Sequence, residues 1–160
     1  MDITFTTKEG KFNHRVAAVI MNKGKLLVMR DNGIGHYYLP GGRVQLHETA
    51  EQAVVREVFE ELEIKSRIVR PLWIVQSYFS LDTTGEKFHE VAFYYLIDIS
   101  GCDNEKLAQG LDLELTEKQT VHEFRWVGPE ELEDMYFYPL FLKKMIKDIP
   151  EHPVMVTEFQ

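Results

Sequence analysis

The chain has 160 residues, 44% of them hydrophobic and 28% charged. That length and balance fit one globular domain, residues 1–160, and exclude a disordered chain, which cannot bury enough apolar surface to fold. Eighteen basic against 26 acidic residues leave a net charge of −8, a surface that repels DNA and RNA polymers at long range but admits a small phosphorylated substrate if a divalent cation stands between carboxylates and phosphates.

Met1 to Phe5 lack the basic-then-apolar order of a secretion signal. The first strand is expected at Arg15 to Met21, whose aliphatic run is far too short to cross a membrane. Asn22, Lys23 and Gly24 form a hairpin turn, and Lys25 to Arg30 returns as the partner strand. A Gly- and Asn-rich loop, Asp31 to His36, leads to a short extended piece at Tyr37 to Leu39, closed by Pro40. A helix is predicted from Thr49 to Leu62: Thr49 and Gln52 make a capping box, and Val54, Val55, Val58, Phe59 and Leu62 form an apolar stripe. Strands follow at Ile68 to Leu81, broken by Pro71, and at Phe88 to Ile99, with Asp82 to Gly85 as their turn. Gly101 to Gly110 is polar and loop-like; within it Cys102 is the sole cysteine, so no internal disulfide forms and a cytoplasmic, reducing location is expected. A further strand at Val121 to Val127, a short helix at Glu130 to Asp134 and a last helix from Leu140 to Ile149, begun by Pro139, complete the set. The fold class is α+β or α/β, a mixed sheet with helices packed on its faces.

The chemistry is concentrated between Gly42 and Ile64. Glu57, Glu60 and Glu61 stand at i, i+3 and i+4 and so share one side of the helix, expected roughly opposite the apolar stripe. Each like-charged i,i+4 pair costs an exposed helix about 0.2–0.5 kcal/mol. A solvated glutamate face is the ordinary reading of such a triplet; a hard divalent cation bound by the carboxylate oxygens would remove the penalty. Arg43 is a candidate phosphate clamp through its planar fork. Tyr37, Tyr38, Trp73, Phe88 and Tyr94 are aromatic faces on which a base could stack.

Gly42, Glu48, Arg56, Glu57, Val58, Glu60, Glu61 and Ile64 match eight of the nine fixed positions in the box of the Nudix (MutT-like) hydrolases, G-x5-E-x7-R-E-U-x-E-E-x-G-U, with U bulky and aliphatic. By average residue usage such a match at a given start arises on the order of once in 10⁸. The departure is Glu63, where the family has glycine at the helix exit; a left-handed backbone there costs a non-glycine residue about 1 kcal/mol. The resemblance implies a Nudix-like α/β/α sandwich with a loop-helix-loop catalytic box over residues 42–64.

It also implies hydrolysis of a phosphoanhydride in a nucleoside diphosphate linked to another group, with a nucleoside triphosphate or nucleotide sugar as the broadest fit. Glu57, Glu61, Glu60 and the Gly41 carbonyl resemble ligands for Mg²⁺ or Mn²⁺, and Glu60 is also a candidate base for the attacking water. Arg56 is similar to the family arginine that orients a helix glutamate, and Glu48 to a residue that anchors the loop. In relatives the base can instead come from a loop late in the sheet, for which Glu114, Glu117 and Glu123 are candidates; Glu123 precedes Phe124 to Val127, a stretch like one in relatives. Two alternatives remain: an ADP-ribose-type pyrophosphatase, although Val75 to Asp82 lacks proline, and a nucleotide-binding sensor without catalysis. Tyr136, Phe137 and Tyr138 are open to three readings: a segment that binds another protein, a helix start packed on the core, or a homodimer contact.

Overall fold

The structure, a computed structural model, describes residues 1–160. Its centre is β2 (Lys11–Asn22), which alternates Val16, Ala18 and Ile20 on one face with Ala17 and Val19 on the other. Both faces are apolar, so both must be covered. The hairpin to β3 (Lys25–Asp31) forms as the turn residues predict. Around this pair a nine-stranded mixed sheet runs in the order β7 (Leu113–Glu117), β8 (Thr120–Val127), β3, β2, β6 (Lys87–Asp98), β5 (Arg67–Ser80), β9 (Val154–Phe159), with β1 (Thr4–Thr6) and β4 (Gly41–Arg43) paired to the N-terminal half of β2. The long strands β5 (Arg67–Ser80) and β6 (Lys87–Asp98) are antiparallel, and β6 runs parallel to β2. Pro71 does not break β5. It lies where the register with β6 shifts, an irregularity in which the missing N–H is tolerated.

The helix α1 (Ala50–Leu62), with its capping box, packs on one face together with the short α2 (Glu105–Gln109). The second face is covered by α3 (Pro129–Asp134) and α4 (Leu140–Met145), which bury Leu132 and Leu142 beside Phe137. Helices on both faces of a mixed sheet make an α/β/α sandwich, the expected class. Between α2 and α3 lie β7 (Leu113–Glu117) and β8 (Thr120–Val127), and β9 (Val154–Phe159) closes the far edge beside β5.

Several boundaries differ from expectation. β2 begins at Lys11, four residues early, because β1 and β6 both pair there. The stretch expected to be wholly loop holds α2, capped by Asn104. Pro139 occupies the N-cap of α4 rather than its first turn, and the helix stops at Met145. No helix is long and apolar enough to cross a membrane.

Candidate active site

The site forms where α1 lies over β4. Gly41 has φ +149°, and a Cβ there would overlap the Val16 carbonyl oxygen of β2, so only glycine lets β4 pair at this distance. A Cβ on Gly42 would overlap the Glu57 carboxylate. The two glycines therefore bring bare backbone against the acidic side of α1.

That side is not opposite the apolar stripe. Seven residues at about 100° each place Glu61 only about 20° from Val54, and Glu61 is accordingly buried at 8% exposure along with Val54, Val58 and Leu62. Phe59, assigned to the stripe from sequence, is 56% exposed on the solvent side. The expected separation into an apolar face and an opposite acidic one is thus corrected: Glu57 and Glu61 border the core.

Glu61 accepts one hydrogen bond, from the Gly41 N–H at 3.0 Å. Burial, and next the charge of Glu57, hold its carboxyl well above the usual range. Burial likewise raises Glu57, against the opposing hydrogen bond from Arg56. The Arg56 guanidinium is the organiser. It donates to both Glu48 oxygens at 2.7 and 2.9 Å, to Glu57 at 2.7 Å, to Glu60 at 3.1 Å and to the Arg43 carbonyl at 3.0 Å. Glu48, held below its ordinary value chiefly by Arg56, also accepts from the Gln45 N–H at 2.9 Å. The loop between β4 and α1 is thereby tied to the helix.

Glu60 points outward and carries only the Arg56 contact. No group of three or more His, Cys, Asp or Glu side chains stands close enough to hold a metal ion as they lie, so the triplet does not converge. The donor set that fits a hard cation is the Glu57–Glu61 pair beside the Gly41–Gly42 backbone: oxygen ligands, partly withdrawn from water, with Glu61 lacking any cationic hydrogen-bond partner.

The structure sets Glu123 apart. On β8, Phe124 and Trp126 face α1, so the alternation turns Glu123 to the opposite face of the sheet. There it pairs with Arg30 at 2.6 Å and accepts from the Tyr37 hydroxyl at 2.6 Å. Burial pushes its carboxyl up, but these two bonds outweigh it and the net shift is downward. Glu114 and Glu117 lie on β7 rather than in a loop. Arg43 reaches Asp2 at 3.5 Å. Trp73 and Tyr94 are buried in the core, which removes them as base platforms.

Tyr38 lies on the α1 side, and burial, then the neighbouring Asp31, raise its hydroxyl well above the usual range. Sequence reasoning missed its surroundings. Asp31 stands 2.5 Å from Nδ1 of buried His122, whose Nε2 is 3.4 Å from Glu117. His36 meets Tyr138 edge-on at 5.1 Å and Tyr136 at 5.6 Å, with Tyr38 at 6.0 Å. Asp31 and His122, like His36 and the Tyr136–Tyr138 pair, lie roughly a hundred positions apart in the chain, and no spacing signal links them.

A family model described as the NUDIX domain matches residues 11–149. The chain belongs to the Nudix family. Among sequence relatives, a MutT4-named protein of Mycobacterium tuberculosis is 31% identical over 133 residues, covering 81% of this chain and 45% of that protein. The chain spans less than half the length of the curated relatives it matches. Among solved structures, a MutT protein from Bacillus halodurans is similar with a TM-score of 0.63 at 13% identity, covering 92% of this chain and 90% of the other. A protein titled UDP-X diphosphatase is similar with a TM-score of 0.59 at 15% identity, covering 90% and 66%. Both likenesses concern the fold. The Nudix box glycine at the helix exit is Glu63 here, and it adopts the left-handed backbone, φ 56° and ψ 28°, that a glycine would favour, while its N–H donates to the Phe59 carbonyl.

Proposed function

We propose that this Nudix chain is a divalent-cation-dependent pyrophosphohydrolase acting on a nucleoside diphosphate linked to a further group, such as a nucleoside triphosphate or nucleotide sugar. The observation that carries the proposal is the buried Glu61 carboxylate, crowded by Glu57 and bonded only to the Gly41 amide. A negative pair so placed is unfavourable until positive charge arrives.

Glu57 and Glu61, with the Gly41 carbonyl, would hold Mg²⁺ or Mn²⁺, which supplies charge neutralisation at the diphosphate and a lowered pKa for water. Arg56 fixes Glu57 and Glu48 so that the loop and helix keep their spacing. The bare backbone of Gly41 and Gly42 allows phosphate oxygens to approach without meeting a side chain. Glu60, exposed and steadied by Arg56, takes the role of proton acceptor for the attacking water, in preference to Glu123 on the far face. Tyr38 is the aromatic residue near the carboxylates, and Arg43 is the candidate phosphate contact at the mouth of β4.

The test is product release over a panel of nucleoside triphosphates, UDP-linked sugars and ADP-ribose, with Mg²⁺ and with chelator, for the native chain and for Glu61→Gln. Metal-dependent turnover abolished by the substitution is expected. Turnover that survives chelation, or that Glu61→Gln leaves intact, overturns the proposal; tight nucleotide binding without any product would instead make the chain a sensor.

A further inference from the structure

The sheet ends in an edge strand whose one guard is a single inward-turned charge. Edge strands are blunted by lysine, proline, bulges or inward-pointing charge; β9 has no internal proline, lysine or arginine, pairs with β5 in unbroken register from Val154 to Phe159, and carries one charge, Glu158. That carboxylate is turned inward, where it accepts from the Phe141 N–H at 2.7 Å. Met155 is 62% exposed and Phe159 79%.

The backbone direction is fixed by one bond. The Gln160 N–H donates to the Tyr78 carbonyl at 2.9 Å, so in a parallel pair Glu158, Val156 and Val154 also direct their amides and carbonyls to β5. Met155, Thr157 and Phe159 therefore direct theirs outward, unpaired. The same face bears a row of rings in register across five strands: Phe5, Phe12, His89, Tyr78 and Phe159. Phe159 stacks on Tyr78 at 5.1 Å and 17°, leaving its outer face as the open end of the row.

We infer that β9 pairs antiparallel with β9 of a second copy of this chain, about a twofold axis through Thr157. Antiparallel pairing joins outward residues to outward residues, which places Thr157 opposite Thr157 and Met155 of each copy opposite Phe159 of the other. Glu158 then faces Val156, so no like charges meet across the axis. Each Met155 thioether covers the open ring at the end of the partner row, a contact sulfur makes well. The match of exposed Met155 to the open Phe159 ring on both sides of the axis, with no charge pair opposed, is what favours a second copy over an unrelated peptide.

Sedimentation of the full chain at up to about 100 µM, the range suited to a small interface, is expected to show a dimer. Thr157→Pro removes one outward amide without touching a β5 bond, and Met155→Glu places charge against Phe159; both are expected to give monomers with unchanged turnover per chain. Thr157→Cys in a Cys102→Ser background is expected to form a covalent dimer on mild oxidation, whereas Val156→Cys does not. A native chain that sediments as a monomer throughout, or a dimer that survives both Thr157→Pro and Met155→Glu, overturns the inference; folding of each variant is checked by circular dichroism.

Discussion

Replacing Glu61 by glutamine separates the cost of a buried charge from its use. Glu61 is 8% exposed as a residue, and its carboxylate accepts a single backbone hydrogen bond and feels the charge of Glu57. Its folded pKa is raised, so between its unfolded and folded values the native state binds more protons than the unfolded one. Stability in chelator therefore falls as pH rises above the ordinary carboxylate range, and the loss persists at neutral pH. Glutamine keeps the shape and the Gly41 bond while removing the charge, a relief of about 2 kcal/mol by the usual cost of an incompletely satisfied buried group. At about 2–4 °C per kcal/mol for a domain of this size, the melting temperature in chelator is expected to rise by roughly 4–8 °C. Saturating Mg²⁺ should reverse the order: a ligand at a hundredfold its Kd adds about 2.7 kcal/mol to the native chain and little to the variant. Thermal melts by circular dichroism, with chelator and with Mg²⁺, measure both effects. A variant no more stable than the native chain in chelator, or one that keeps the full Mg²⁺ response, would refute the reasoning.

Arg56→Ala leaves Glu48 and Glu57 partly buried without their partner; urea titration should show a loss of about 2–4 kcal/mol, and Arg56→Lys, which cannot reproduce the fork, should recover only part of it. Gly42→Ala forces the Glu57 carboxylate aside, and turnover should fall at least about tenfold, a barrier change of about 1.4 kcal/mol, with the circular dichroism spectrum unchanged. Glu63→Gly relieves a left-handed non-glycine backbone and a negative charge at a helix C-terminus, and should raise stability by about 1 kcal/mol in the same titration. Glu123→Gln should leave the Mg²⁺-induced rise in melting temperature intact, because the Arg30–Glu123–Tyr37 cluster lies across the sheet from the α1 carboxylates; loss of that rise would place Glu123 at the cation site.

Local signals were legible because they act over a few residues. The Thr49–Gln52 box starts α1 where expected, and the hairpin at Asn22 to Gly24 holds its register. What was illegible is set by strand pairing at long range. β1, β4, β7 and β9 are short and weakly patterned, and each exists because a neighbour offers an open ladder: β2 for the first two, β8 and β5 for the others. The same holds for the site. Box spacing picked out Glu57, Glu61 and Arg56, yet the side of the sheet on which Glu123 stands follows from alternation fixed by Phe124 and Trp126, and the Asp31–His122 contact joins strands that only the β3–β8 register brings together.

A carboxylate about 20° from the core stripe cannot escape to solvent as Glu60 does. For a helix that only needed packing, an apolar residue in place of Glu61 would be more favourable, since it would not require desolvating a charge. For a solvated acidic face, Glu61 would sit beside Glu60. Its actual place, on the border between Val58 and the bare Gly41–Gly42 strand, is unfavourable for either purpose alone. It would become favourable with a cation bound beside it, and the free energy that folding spends on burying Glu61 would then be returned as affinity for that ion.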